Sequence, residues 1–246
     1  MKIRSLFFIL FFLFVTYGYS QVPDNLLSIS DEAYIPSKAK FHLYIESYEK
    51  GEKTQYFDME SYVNGHSKYL LIYQEPAIMK GQGQVRIDST IYQYVRKTDR
   101  TQQVSAKTNF YKTVLSQEDV MSSMLSSFYE IEKVEEVVES DNTIYRMTLN
   151  AKEKRSSYAT IVADIDSETY LPIKRLYYSY SGQLVKEFLI EEIKKNENGE
   201  LDFVRFKVTD MIKPQYYSIV IMDQFDTTYE IPENMFSVPY LKTHVK

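Results

Sequence analysis

Residues 39–49, 54–63, 83–88 and 91–96 place apolar side chains at alternate positions, and short turn signals separate them. The turns read Lys50-Gly51-Glu52, Asn64-Gly65 and Asp88-Ser89-Thr90. A side-chain period of two belongs to extended strands. Turns this short join antiparallel neighbours, because a parallel pair needs a long crossover. The chain is therefore committed to an antiparallel meander from near its start. The stretch Pro76–Ser105 is its centre: Val85 and Ile87 alternate with Gln84 and Arg86, and Ile91 and Val95 with Tyr92 and Tyr94. Gly81 and Gly83 suit a bulge or a sharply bent strand start.

The first 20 residues stand apart. Lys2 and Arg4 precede an apolar run, Leu6–Val15, and Gly18-Tyr19-Ser20 supplies small residues at a cleavage site. This is the pattern of a secretory signal peptide cut after Ser20. The run is short of the roughly 20 residues a membrane span needs. No cysteine follows it, so no lipid anchor is expected, and the mature chain is expected to be soluble and outside the cytoplasm.

Residues 21–246 read as one domain. Losing Lys2 and Arg4 takes the formal charge from −5 to −7. A mildly acidic chain does not offer the concentrated basic surface that nucleic acid requires. With no cysteine in the chain, the fold must stand without disulfides. The 23 Tyr and 14 Phe suit half-buried pleated surfaces.

Residues 23–34 predict a short helix ended by Pro36. A third strand covers 67–74. After an irregular stretch, Ser116-Gln117-Glu118-Asp119 gives a helix start, with Ser as N-cap and acids in the first turn. Val120, Met121, Met124, Leu125 and Phe128 form its apolar stripe. Residues 130–140 fit strand or helix. Strands resume at 143–149, 157–165, 172–180, 184–194, 201–212 and 215–225. The residues thus predict a mainly β fold of about 10–11 antiparallel strands in two meanders, interrupted by one amphipathic helix and preceded by a short one.

Several segments in order resemble the LolA/LolB-like periplasmic carriers, in particular the outer-membrane lipoprotein-sorting branch. They are KAKFHLYIESYEKGEK after an initial helix, then YQEPAIMKGQGQVRIDSTIYQYVRKTDR, SQEDV, LPIKRLYY with a Ser-Gly-Gln-Leu turn, and a tail carrying Pro232, Phe236 and Leu241. The chain departs from the group in lacking Trp and a Gly-rich linker before the helix. The resemblance implies a curved, incomplete antiparallel β-barrel with one or two helices plugging its open side, a hydrophobic cavity for acyl chains, a carrier rather than an enzyme, and lipoprotein acyl chains or another lipid as cargo. It also implies exchange with an inner-membrane exporter or an outer-membrane acceptor. A monomer without cofactor is expected.

The residues alone leave open whether the inward face is a packed core or lines a cavity. On that face the alternation places Phe41, Leu43, Ile45, Phe57, Met59, Leu70, Ile72, Val85 and Ile87. Val120, Met121, Met124, Leu125 and Phe128 would form the lid, where flexible methionines suit a variable apolar ligand. A carrier cavity is expected to reach several hundred Å³. Arg86, Arg96, Lys97 and Arg100 form a basic cluster that could meet lipid head groups or an acidic partner. The competing reading is an envelope binding module, accessory to an exporter or a surface-assembly system. It would use an outer face carrying Tyr44, Tyr48, Tyr56, Tyr62, Tyr92 and Tyr94.

Catalytic signals are weak. His42, His66 and His244 have no metal-ligand spacing, and no calcium loop is present. Ser37…Lys40 and Ser47…Lys50 match the Ser-x-x-Lys spacing, but they fall at strand ends rather than at a helix start. Gly81-x-Gly83 lacks the rest of a dinucleotide loop.

Overall fold

The computed structural model describes residues 22–65, 67–121, 124–139, 142–154 and 156–244. The proposed signal peptide and His66 lie outside them. The described chain forms one 13-stranded antiparallel sheet that is open and curled. Helix α1 (Leu26–Tyr34) leads into β1 (Lys38–Glu49), β2 (Glu52–Asn64), β3 (Lys68–Glu75), β4 (Gly83–Ile87), β5 (Thr90–Val95) and β6 (Arg100–Val104). Helix α2 (Gln117–Met121) and a 3-10 turn (Leu125–Ser127) follow. Then come β7 (Tyr129–Glu139), β8 (Asn142–Ala151), β9 (Thr160–Asp166), β10 (Pro172–Tyr178), β11 (Leu184–Lys195), β12 (Leu201–Asp210), β13 (Tyr216–Asp226) and α3 (Val238–His244).

Sheet order is β6-β5-β4-β3-β2-β1-β13-β12-β11-β10-β9-β8-β7. Two meanders meet where β1 pairs with β13, Ile45 opposite Val220. The edges are β6 and β7, and the segment joining them, residues 105–128, contains α2 and the 3-10 turn. The expected strands are present, joined by β6 and by β7, whose sequence had fitted strand or helix. The β1–β2 turn has Lys50 at φ 52° and Gly51 at φ 86°. Two successive positive φ values match the right-handed twist of the flanking strands and set the register.

The main core lies on the concave face. Phe41, Leu43, Ile45, Phe57 and Met59 belong to it, as the alternation of β1 and β2 requires. Leu70, Ile72, Val85 and Ile87 do not. They face the convex side, in a second cluster with Tyr62, Tyr94, Ile231, Met235, Phe236 and Leu241. Their expected inward placement is therefore corrected. In β3 both phases are apolar, and Tyr69, Leu71 and Tyr73 take the inner one. A one-residue phase error moves a whole strand to the other face. Tyr62, Leu70, Val85 and Tyr92 stand in cross-strand register on β2 to β5, forming an apolar row across the convex face. The C-terminal segment covers that row, which removes about the burden of an exposed apolar patch.

Candidate functional site

The site is built where the concave face meets α1 and the 105–128 segment. A cavity of about 70 Å³ remains there. Its walls include Leu43 and Ile45 of β1, Phe188 of β11, Phe206 of β12, and Val220 and Met222 of β13. Tyr34 and Ile35 enter from α1 and its C-cap, and Val120, Met124 and Leu125 from the 105–128 segment. Pockets for drug-sized ligands span roughly 300–1,000 Å³. The observed volume falls well short of the expected several hundred Å³, because side chains from α1 and the 105–128 segment occupy the hollow. A larger depression of about 250 Å³, at the ends of β1 and β13, is edged by Ser47, Glu49, Gln55 and Lys112. Tyr48, Val114, Tyr216 and Tyr217 also line it, but of its lining only Val114 packs against the main core, which makes it the weaker candidate for an apolar ligand.

The single lid helix expected from Ser116 to Phe128 is corrected. Helix α2 ends at Met121, and Met124 has extended backbone, φ −139° and ψ 118°. The segment is rich in serine, which bonds competitively to the backbone and disfavours helix interiors. Its start follows the sequence reading: the Asp119 N–H donates to Ser116 Oγ at 3.1 Å, and the Ser116 N–H donates to Asp119 Oδ2 at 2.7 Å. This is a reciprocal cap of the capping-box type. Of the proposed lid residues, Met121 is fully buried in the core and Phe128 packs beneath Arg86, its ring centre 4.1 Å from the guanidinium carbon.

Arg86 leaves the expected basic cluster. It is 4 % exposed, donates to the Met121 carbonyl at 3.1 Å and to the Asp88 carbonyl at 2.8 Å. Arg96, Lys97 and Arg100 are exposed. The inner phase of β4 is thus polar, Gln84 and Arg86, while its apolar phase faces the C-terminal segment. Of the tyrosines assigned to the outer face, Tyr62 and Tyr94 are covered by that segment as well.

Two cations that the sequence reading did not select, Arg175 and Lys186, line the cavity with Glu118 and Asp119 of the helix start. Lys186 of β11 bonds to Asp119 Oδ2 at 2.5 Å and to the Tyr158 hydroxyl. Tyr158 also donates to Asp119, at 2.9 and 3.1 Å. Glu118 accepts from the Ser157 backbone N–H at 2.7 Å, from its hydroxyl at 2.6 Å and from the Tyr129 hydroxyl at 3.3 Å. Arg175 of β10 is buried, its guanidinium over the rings of Tyr34 and Phe188, 5.1 and 5.2 Å from their centres. Asp31 of α1, buried, accepts from the Ser126 N–H at 2.7 Å and ties the helix to the 3-10 turn. Burial pushes the Asp31 carboxyl above its ordinary range, partly offset by the Arg175 charge. Burial also raises the hydroxyls of Tyr34 and Tyr158 far above neutrality and that of Tyr177 to about 12. These tyrosines are neutral hydrogen-bond donors at physiological pH.

One signal could have found the cations. Lys186 stands two residues before Phe188, and Arg175 two before Tyr177, each in the phase of a buried aromatic. A cation on the apolar phase of a strand needs a partner inside.

The other chemical motifs stay apart. Ser47 meets Ser218 across β1 and β13 at 2.6 Å, and Lys40 faces Glu60 at 3.5 Å, so neither Ser-x-x-Lys pair forms a nucleophile with its base. His42 lies 3.5 Å from Asp58 and beside Tyr44. Among the described residues no three His, Asp or Glu groups are placed to hold a metal ion.

The fold is similar to that of several solved structures. A LolA superfamily protein from Nitrosomonas europaea superposes with a TM-score of 0.79 at 17% identity, over 87% of this chain and 97% of that one. A putative outer membrane lipoprotein-sorting protein domain from Vibrio parahaemolyticus gives 0.74 at 16%, over 88% and 97%. A DUF1329 family protein from Desulfovibrio piger gives 0.74 at 15%, over 88% and 96%. No functionally described protein matches the sequence significantly. A family model described as "Uncharacterized protein" matches residues 65–243. The chain belongs to that family and has the fold of the LolA superfamily.

Proposed function

We propose that the protein is a lipid or lipoprotein carrier of the bacterial envelope, exported through its N-terminal 20 residues and acting in the periplasm. The observation that carries this reading is how the concave face is closed. Among the described residues, a curved apolar sheet is covered by a nine-residue helix, a five-residue helix and one 3-10 turn, with no second sheet. Two of these small pieces, α1 and the 3-10 turn, are tied to each other by the Asp31–Ser126 hydrogen bond. Displacing them would uncover the apolar walls and enlarge the 70 Å³ hollow to acyl-chain size. Burial of each methylene then contributes about 0.8 kcal/mol, and no covalent step is needed. The LolA superfamily and lipoprotein-sorting likenesses support the same reading.

The test is a reversible lock. The chain has no cysteine, so Asp31→Cys with Ser126→Cys introduces a unique pair joining α1 to the 3-10 turn. Solvent extraction and mass spectrometry of the purified wild-type protein should recover lipid. Oxidised double variant should fail to take up a fluorescent fatty acid, and reduction should restore uptake. Protein that is always empty and binds no such probe refutes the carrier.

A further inference from the structure

Resting on the carrier reading, we infer that the cavity selects acyl-chain amphiphiles with an anionic head, held by Arg175 and Lys186. The two cations lie on neighbouring strands. Arg175 pairs with Phe188 and Tyr177 with Lys186, so the cations are diagonal neighbours on one face, at a separation of about 7–8 Å between backbones. Both line the same cavity. Each is set against a covering element: Lys186 bonds Asp119 of α2, and Arg175 lies over the Tyr34 ring of α1, close enough for its charge to act on Asp31.

The acids belong to the pieces that must move, and the cations belong to the sheet, which stays. Displacing α2 withdraws Asp119, and once an apolar chain fills the hollow Lys186 is left in a dry site without a counter-charge, a state that is strongly disfavoured. An incoming carboxylate or phosphate monoester restores the pairing, whereas an ester or alcohol cannot. The covering carboxylates thus occupy the place of a ligand's head group. Independently, Arg175 Nε is buried and has no hydrogen-bond partner among the described residues, although the residue is only 6 % exposed. Buried donors are nearly always satisfied, so this one, on a residue that lines the cavity, lacks an acceptor. An oxyanion supplies that acceptor, and guanidinium groups bind such anions in two-pronged fashion. The apolar walls beyond, Phe206, Val220 and Met222, would take the chain.

The experiment compares a pyrene-labelled hexadecanoic acid with its methyl ester on the full wild-type protein, by fluorescence titration. The acid should bind about tenfold or more tightly, as a charge-assisted contact in a buried site predicts. Arg175→Gln should bring the two within about threefold by weakening the acid alone. Hexadecyl phosphate and hexadecanoate, as competitors, should both displace the acid, and hexadecanol should not. Equal binding of acid and ester by wild-type protein overturns the head-group assignment and leaves the carrier standing. Binding of neither overturns both. Because the first comparison needs no variant, a misfolded Arg175→Gln protein does not rescue the proposal.

Discussion

Lys186 Nζ lies 2.5 Å from Asp119 Oδ2, and both side chains are about nine-tenths buried. This contact joins β11 to α2, so it couples the stability of the sheet to the position of its cover. Removing one partner of a buried pair leaves the other unpaired, at a cost of about 3–5 kcal/mol. Asp119→Ala should lower unfolding free energy by that order in urea titrations. Asp119→Ala with Lys186→Met should recover the part of the loss that comes from the unpaired lysine, while the cap on Ser116 and the Tyr158 contact stay lost. Equal losses in the single and double variants would show that the pair itself does not hold α2.

Asp31 gives a pH signature. Its folded carboxyl titrates above the ordinary range because burial outweighs the Arg175 charge. A raised acid stabilises the fold fully below its unfolded pKa, and that contribution is lost as pH rises through the folded value. Asp31→Asn, neutral at every pH, keeps an acceptor for the Ser126 N–H. The variant should melt higher than wild type near pH 7.5, with the difference shrinking toward pH 4. A difference that grows on acidification would reverse the sign assigned to burial.

Arg86 and Lys97 separate structural from surface cations. Arg86 donates to two carbonyls and covers Phe128. Arg86→Met should cost about 2 kcal/mol by leaving those carbonyls short of a donor. Lys97→Met, at an exposed position, should stay within about 0.5 kcal/mol. Chemical denaturation of the two variants side by side is the check.

The C-terminal segment acts as an outer cover. Phe236 and Leu241 are buried against the convex row. Phe236→Ala should destabilise by about 3–5 kcal/mol, and removal of residues 231–246 should raise binding of a surface-hydrophobicity dye. A truncated chain with unchanged dye binding and melting would show that the row needs no cover.

The sequence by itself determined the local geometry. Period-two alternation and tight turns specify antiparallel strands, and Ser116 with Asp119 specifies the start of α2, because these signals act within a few residues. In β1 and β2 the sequence also set the buried face, since only one phase of Phe41–Ile45 and Phe57–Met59 is apolar. It could not do so in β3, where Tyr69, Leu71 and Tyr73 compete with Leu70 and Ile72. Nor could it in β4, where Val85 and Ile87 look inward until the distant Phe236 and Leu241 cover the outside. Only tertiary structure decided that, together with the pairing of Asp119 with Lys186 and the seating of Arg175 over Tyr34. Those contacts join residues far apart in the chain, and a buried charge declares its purpose only when its partner has been brought to it.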